Sequence, residues 1–161
     1  MQKINFKIAK PERVVFKNDV DSITLPTMEG EITILPNHIP LISVLKPGEI
    51  RVVNGKDVQS IAVSGGFIEV LSTKVVVLAD TAERSEEIDI KRAEEAMKRA
   101  QELKNTRQVD AKEFALLSAQ IEKELARIKV ARNYRPRVEM QVGDEGKAKK
   151  SANEAEVAAK E

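Results

Sequence analysis

Few side chains in this 161-residue chain combine a type and a spacing that chemistry needs. Glu29 and Glu31 are alternate residues. On a strand they would share a face, as paired carboxylates in general acid and base work must. His38 follows them and is the single histidine. One imidazole with no cysteine beside it makes no structural zinc site. A turn residue satisfying local backbone groups is its plainer role. No nucleophile–base pair and no glycine-rich phosphate loop accompanies these three. A second group lies further on. Asp89 is a residue type that caps a helix. Arg92 and Arg99 stand two helical turns apart, on one face. Forked guanidinium donors suit phosphate oxygens. A third group is basic: Arg127, Lys129 and Arg132, continued by Arg135 and Arg137, with Glu124 as the acidic residue among them. It is either a solvated helix face or a tether to an acidic protein surface.

The elements that must position these groups change character at residue 85. Before it, apolar residues alternate with polar ones: Ile4, Phe6 and Ile8, then Ile23 and Leu25, then Ile32 and Ile34. After it they recur every three to four positions: Ala93, Met97, Ala100 and Leu103, then Phe114, Leu117, Ile121, Leu125 and Ile128. The first period predicts half-buried strands and the second amphipathic helices. Turn signals punctuate the first half at Lys17-Asn18-Asp19, Lys46-Pro47-Gly48, Asn54-Gly55, Ser64-Gly65-Gly66 and Ser72-Thr73-Lys74. Pro47-Gly48 fits a type II turn and Asn54-Gly55 a type I′ hairpin. Phe67–Leu71 and Val75–Ala79 read as a final hairpin, and Thr81–Glu87 as a polar connector. Many short strands with regular turns predict a sandwich or flattened barrel.

Helix one should start near Asp89 and reach about Leu103. Asn105–Gln108 forms the turn. Asp110 and Glu113 resemble a capping box, and helix two runs to about Arg132, before Pro136. Two such helices pack antiparallel. The alanines of helix one bury little area, which predicts a lightly held, mobile pair. The domain expectation is therefore residues 1–84 as a β-sandwich, 85–136 as a helical hairpin and 137–161 as a disordered charged tail.

Composition narrows the function. The net charge is +1, and no bulk field drives the chain onto nucleic acid or lipid. There is no cysteine and no tryptophan, and aromatic residues are 3%. Disulfides, thiol sites and a base-stacking platform are set aside. No apolar run is long enough to enter a bilayer directly, and no signal peptide is evident. A reducing, cytoplasm-like compartment is expected. Charge is uneven: residues 1–83 hold nine Lys/Arg and ten Asp/Glu, whereas residues 84–137 hold fourteen and ten. The helical half is the basic half.

One series of motifs carries a family resemblance. Lys10-Pro11-Glu12 precedes Val15-Phe16. Glu29-Gly30-Glu31-Ile32-Thr33-Ile34-Leu35-Pro36-Asn37-His38-Ile39-Pro40 follows, then Leu45-Lys46-Pro47-Gly48 and Val63-Ser64-Gly65-Gly66-Phe67-Ile68-Glu69-Val70. Val77-Leu78-Ala79-Asp80 and Ala82-Glu83 close the strand half. In order and spacing, with a helical hairpin behind, this resembles the epsilon subunit of bacterial F-type ATP synthase over residues 1 to about 132. The longer tail departs from the family.

The resemblance implies a mainly β, α+β fold: a flattened ten-stranded β-sandwich followed by an antiparallel two-helix hairpin. It implies a non-catalytic subunit of the central rotor stalk, peripheral on the cytoplasmic face of the cell membrane. The implied partners are the gamma subunit and the c-subunit ring, with alpha and beta subunits reached when the hairpin extends. Glu29, Glu31 and His38 would then make rotor and ring contacts, Glu31 toward the ring and His38 toward gamma. Arg127, Lys129 and Arg132 would meet an acidic loop of beta. Ile88-Asp89-Ile90-Lys91-Arg92-Ala93 matches a motif with which some members bind ATP. It implies a regulatory, not required, ATP held by Glu83, Ile88, Asp89, Arg92, Ala93 and Arg99. Such members add arginines from helix two, where this chain has Gln120 and Glu124. Two other readings stand beside this one: a free-standing ATP-sensing module without a rotor partner, and an enzyme using Glu29, Glu31 or His38.

Overall fold

The computed structural model describes residues 2–106 and 110–134. Ten strands come first: β1 (Ile4–Lys10), β2 (Arg13–Val20), β3 (Ser22–Thr27), β4 (Gly30–Ile34), β5 (Leu41–Leu45), β6 (Gly48–Asn54), β7 (Asp57–Val63), β8 (Gly66–Val70), β9 (Lys74–Ala79) and β10 (Ala82–Arg84). A single turn of 3-10 helix at Ser85–Glu87 leads to α1 (Ile90–Thr106) and α2 (Ala111–Asn133). The protein is mainly β, with the helices at its C-terminal side. The tail from residue 135 onward, with Arg135, Pro136 and Arg137, lies outside the described residues, as do Arg107 and Gln108 of the expected turn.

Hydrogen-bonded neighbours follow the order β10-β7-β6-β3-β5-β8-β9-β1-β2, with β4 on β3. The sheet folds over as a sandwich because each strand has one apolar face to hide. Ile4, Phe6 and Ile8 point inward from β1, Ile23 and Leu25 from β3, and Val75 and Val77 from β9. The Phe6 and Phe16 rings meet at 5.6 Å, tilted by 48°. Each large aliphatic side chain so buried contributes about 1.5–3 kcal/mol. β1 joins β2 antiparallel and β9 parallel. Ile8 lies opposite Phe16 but Ala9 lies opposite Val14, which leaves Val15 as the extra residue of a bulge. The carbonyl of Val15 accepts from the Arg84 guanidinium at 3.3 Å. Arg84 is on β10 and Val15 on β2, the two ends of the strand order. This hydrogen bond ties them together.

Several turn expectations are corrected. Lys17-Asn18-Asp19 does not break a strand pair; it lies inside β2, at the end of the strand order. There Asn18 and Asp19 bond local groups, and the Asp19 carboxylate accepts from the Asn5 amide at 2.9 Å. Gly48 is not among the glycines with positive φ, so Pro47-Gly48 makes no type II turn. Gly48 is needed for space, because a Cβ there would stand 2.8 Å from the Pro26 ring. In the β6–β7 hairpin the loop is Gly55-Lys56, and only Gly55 has positive φ. That is the pattern of a type II′ turn, with Asn54 still in the strand. Phe67–Leu71 and Val75–Ala79 do hold a hairpin, β8–β9, but not the last strand. The expected connector contains β10, whose Ala82 is buried opposite Val63. Three residues are too few to show a period.

The helices start where capping chemistry predicts. Asp89 accepts from the Arg92 N–H at 3.1 Å, and Asp110 from the Glu113 N–H at 2.7 Å. They run antiparallel. Lys104 sits over the Phe114 ring at one end, and Arg132 bonds Glu94 at 2.6 Å toward the other. The alanine seam holds in part: Ala93 and Ala100 are buried, while Leu103 is half exposed. The expected stripe of α2 holds only in part: Ile128 is buried and Leu117 and Ile121 are half-buried. Phe114 and Leu125 are exposed, and the buried residues are Glu124, Ala126, Ile128 and Val130. Two rows at i,i+4 spacing, on opposite sides of α2, are buried because α2 contacts both α1 and β6–β7.

At Gly66, with φ +131°, a Cβ would stand 2.1 Å from the Leu78 carbonyl oxygen. Gly66→Ala is expected to destabilise the sandwich by more than about 3 kcal/mol in denaturant titration. An unchanged midpoint would contradict this approach of β8 to β9.

Candidate functional site

Three clusters hold the candidate residues. The first spans the β3–β4 turn, β4 and the loop after it. Glu29 occupies the turn and is exposed, and Glu31 lies on β4 with its carboxylate 3.6 Å from the Arg51 guanidinium. They are not two residues of one strand face. His38 lies beyond the far end of β4. Its N–H donates to the Leu35 carbonyl at 3.1 Å, and its Nδ1 lies 2.8 Å from the Ile39 carbonyl oxygen. It serves the backbone of its own turn. Asn37 takes a positive φ of 65°, and its N–H reaches the Ser72 carbonyl at 2.9 Å. Pro36 and Pro40 stiffen this loop. The five residues of β4 separate Glu29 from the loop by about 17 Å. The three candidates therefore face different ends of the sandwich. They do not converge on one reacting atom. Among the described residues no cluster of histidine and carboxylate side chains could hold a metal ion.

The second cluster escaped sequence reasoning. Val44 on β5 lies opposite Phe67 on β8, Phe67 opposite Leu78 on β9, Leu78 beside Ala9 on β1, and Ala9 opposite Val14 on β2. Register partners share a face. Phe67 is 59% and Leu78 58% exposed, and Val14 and Val44 are also exposed. An apolar row thus crosses five strands on the outside of the sandwich, and the next row carries Glu69 and Lys7. That row also holds the exposed Ile42 and the half-buried Val76, and an exposed apolar band of this extent marks a contact surface. A signal was present. Val75, Val77 and Ala79 claim the inward phase of β9, which leaves Leu78 outward.

The third cluster is the seam between hairpin and sandwich. Ile88 and Val130 are buried with Ala62, and Ala131 packs beside them. Glu83, on β10, is half-buried, and its carboxylate accepts from Arg127 Nε at 2.9 Å. Arg127 Nη1 also donates to Glu124 at 2.7 Å, and Gln120 donates to the other Glu124 oxygen at 2.8 Å. Burial alone would lower the Arg127 pKa, but the hydrogen bonds it donates to Glu124 and Glu83, with their charges, outweigh it and raise it. Arg127 is therefore turned inward, whereas Lys129 and Arg132 are exposed. Lys129 borders an open crevice of about 440 Å³ with Glu31, Lys46, Glu49 and Glu122.

The residues of the Ile88–Ala93 motif are dispersed. Ile88 and Ala93 are buried, and Asp89 caps α1. Arg92 and Arg99 are exposed, and neither lines this crevice or the second one, of about 530 Å³, beside Arg84 and Tyr134. Glu83 is engaged by Arg127, not by either of them.

Comparison with known proteins agrees over most of the chain. The model of the family described as "ATP synthase, Delta/Epsilon chain, beta-sandwich domain" matches residues 3–85. The ATP synthase epsilon chain of Dehalococcoides mccartyi is 44% identical over 135 residues, covering 84% of this chain and 96% of that one. The epsilon chain of Chloroflexus aggregans is 42% identical over 132 residues, covering 82% and 94%. Among solved structures, a chain of the Euglena gracilis mitochondrial ATP synthase, in an OSCP/F1/c-ring structure, shares the fold with a TM-score of 0.71 at 23% identity. It covers 81% of this chain and 82% of that one. An outward apolar row, a helical hairpin seated on the sandwich and relatives matched nearly end to end lead to one assignment: the chain belongs to the ATP synthase epsilon chain family.

Proposed function

We propose that this chain is the non-catalytic epsilon subunit of a rotary ATP synthase, fixed to the central stalk and turning with it. The observation that carries the reading is the outward apolar row from Val44 through Phe67 and Leu78 to Val14. A sandwich with a complete inner core has no internal use for these side chains. An elongated stalk protein laid against β5, β8, β9, β1 and β2 would bury them, and the gamma subunit is the partner of that shape. We assign Glu29 and Glu31, at the β3–β4 turn and the start of β4, to the c-ring, and His38, in the loop after β4, to gamma. None of the helices described is long and apolar enough to cross a membrane. Attachment is therefore assigned to the complex, on the cytoplasmic face of the membrane.

The hairpin is assigned a restraining role. Docked, α2 lies on β6 and β7. Extended along the stalk, its basic residues Lys129 and Arg132, with Arg127 once freed, would meet an acidic surface of beta and block rotation in the hydrolysis direction. No cofactor is required for this. A regulatory ATP would use Glu83, Ile88, Asp89, Arg92, Ala93 and Arg99. In the docked state it must draw Glu83 from Arg127 or bind beside that pair. A ligand shifts such an equilibrium only by its differential affinity, about 1.4 kcal/mol for a tenfold preference.

Three outcomes are expected. The chain co-purifies at one copy with a gamma-containing ATPase complex, and Phe67→Asp with Leu78→Asp weakens binding at least about a hundredfold while strand circular dichroism is kept. Wild-type affinity of that variant would remove the docking face. Deleting residues 88–161 leaves assembly intact and raises ATP hydrolysis several-fold, and unchanged hydrolysis would count against the restraining role. In calorimetry, MgATP gives heat that Arg92→Ala abolishes. Its absence from the wild-type chain would exclude regulatory nucleotide.

A further inference from the structure

The apolar part of the hairpin's seat is thin: Val130 meets Ala62 and Ile88, with Ala131 alongside. Yet α2 carries an enclosed charge beside this seat, for Glu124, on the Ile128 row, is only 2% exposed. Both of its oxygens are engaged. One accepts from Gln120 Nε2 at 2.8 Å and the other from Arg127 Nη1 at 2.7 Å. Those donors are on α2 itself, one turn before and one turn after. Arg127 Nε donates in addition to Glu83 on β10 at 2.9 Å. Of these three hydrogen bonds, one crosses from hairpin to sandwich, and the two that compensate the buried carboxylate travel with the helix.

That division is unusual in its consequence. A buried ion pair split between two bodies leaves an uncompensated charge on each when they separate or when one partner is lost. Here separation leaves Glu124 with both its donors. Only Glu83 and one Arg127 nitrogen exchange each other for water. We infer that Glu83, Arg127, Glu124 and Gln120 form a separable clamp: Arg127–Glu83 holds the hairpin docked without any nucleotide, and the Gln120–Glu124–Arg127 chain lets α2 leave with its charges paired. The clamp deepens the two-state reading of the hairpin and rests on it.

The test compares Glu83→Gln, Arg127→Met and Arg127→Met with Glu124→Gln in the full chain. Amide hydrogen exchange of α2 is read against that of β1 and β9. A pair of spin labels at Lys56→Cys and Lys112→Cys reports separation, without background because the chain has no cysteine. Glu83→Gln is expected to speed α2 exchange about tenfold, by loss of one charged hydrogen bond. Arg127→Met should speed it about a hundredfold, because it also leaves the buried Glu124 carboxylate without its cation. Adding Glu124→Gln to Arg127→Met should return the rate toward that of Glu83→Gln. Strand amides should keep wild-type rates throughout, and the label distance should lengthen in step with α2 exchange. Equal effects of Glu83→Gln and Arg127→Met, no relief from Glu124→Gln, or faster exchange at an unchanged label distance would each overturn the clamp. Gamma binding is measured separately. A chain that ignores gamma yet gives this order of variants keeps the clamp and loses the rotor reading. A chain that binds gamma with wild-type exchange in every variant does the reverse.

Discussion

The structure depends on one constraint: each short strand has a single apolar face, and that face must be hidden. Closing the sheet over Phe6, Phe16, Ile23, Leu25, Ile68 and Val77 satisfies it, since all of these are almost wholly buried. The closed core then fixes everything outside it. The pleat that turns Val77 inward turns Leu78 outward. The bulge at Val15 lets Phe16 point in while Val14 points out, although residues two apart on a regular strand would share a face. The Arg84 hydrogen bond to the bulged carbonyl joins the ends of the strand order next to the point where the helices depart.

Much of the strand domain was legible because its period is two and its core residues are β-branched or aromatic. Ile4-Phe6-Ile8 announced a half-buried strand, and that strand is present. What failed depended on contacts remote in sequence. Asn18 and Asp19 look like turn residues, yet β2 tolerates them at the sheet's end. Gly48 looks like a turn glycine, yet it is small because Pro26 stands against it. β10 is too short for any period and exists because β7 offers it a partner.

The candidate site was less legible, for a related reason. Residue types predict chemistry, but whether groups meet is decided by topology. Glu29 and His38, nine positions apart in sequence, are held apart by β4. Arg127 and Glu83, separated by 44 positions, are joined. The helical period of α2 misassigned Phe114 and Leu125 and passed over Glu124, because that helix is covered on two sides and carries a compensated carboxylate in the covered surface. A rule that places charge outside fails where the counter-charge is supplied by the same helix.

The parallel pairing of β1 with β9 has a consequence for biogenesis. Asn5 is in register with Lys74, so β1 finds one of its lateral neighbours only after some seventy further residues have emerged from the ribosome. β1 and β2 can zip locally at once, but that ribbon must wait, with Phe6 and Phe16 unshielded, for β9 to be translated. Loop-closure entropy makes such long-range joining slow, and exposed apolar edges invite misassociation meanwhile. The β1–β2 ribbon is therefore a part of the nascent chain whose apolar side chains stay unshielded until β9 emerges.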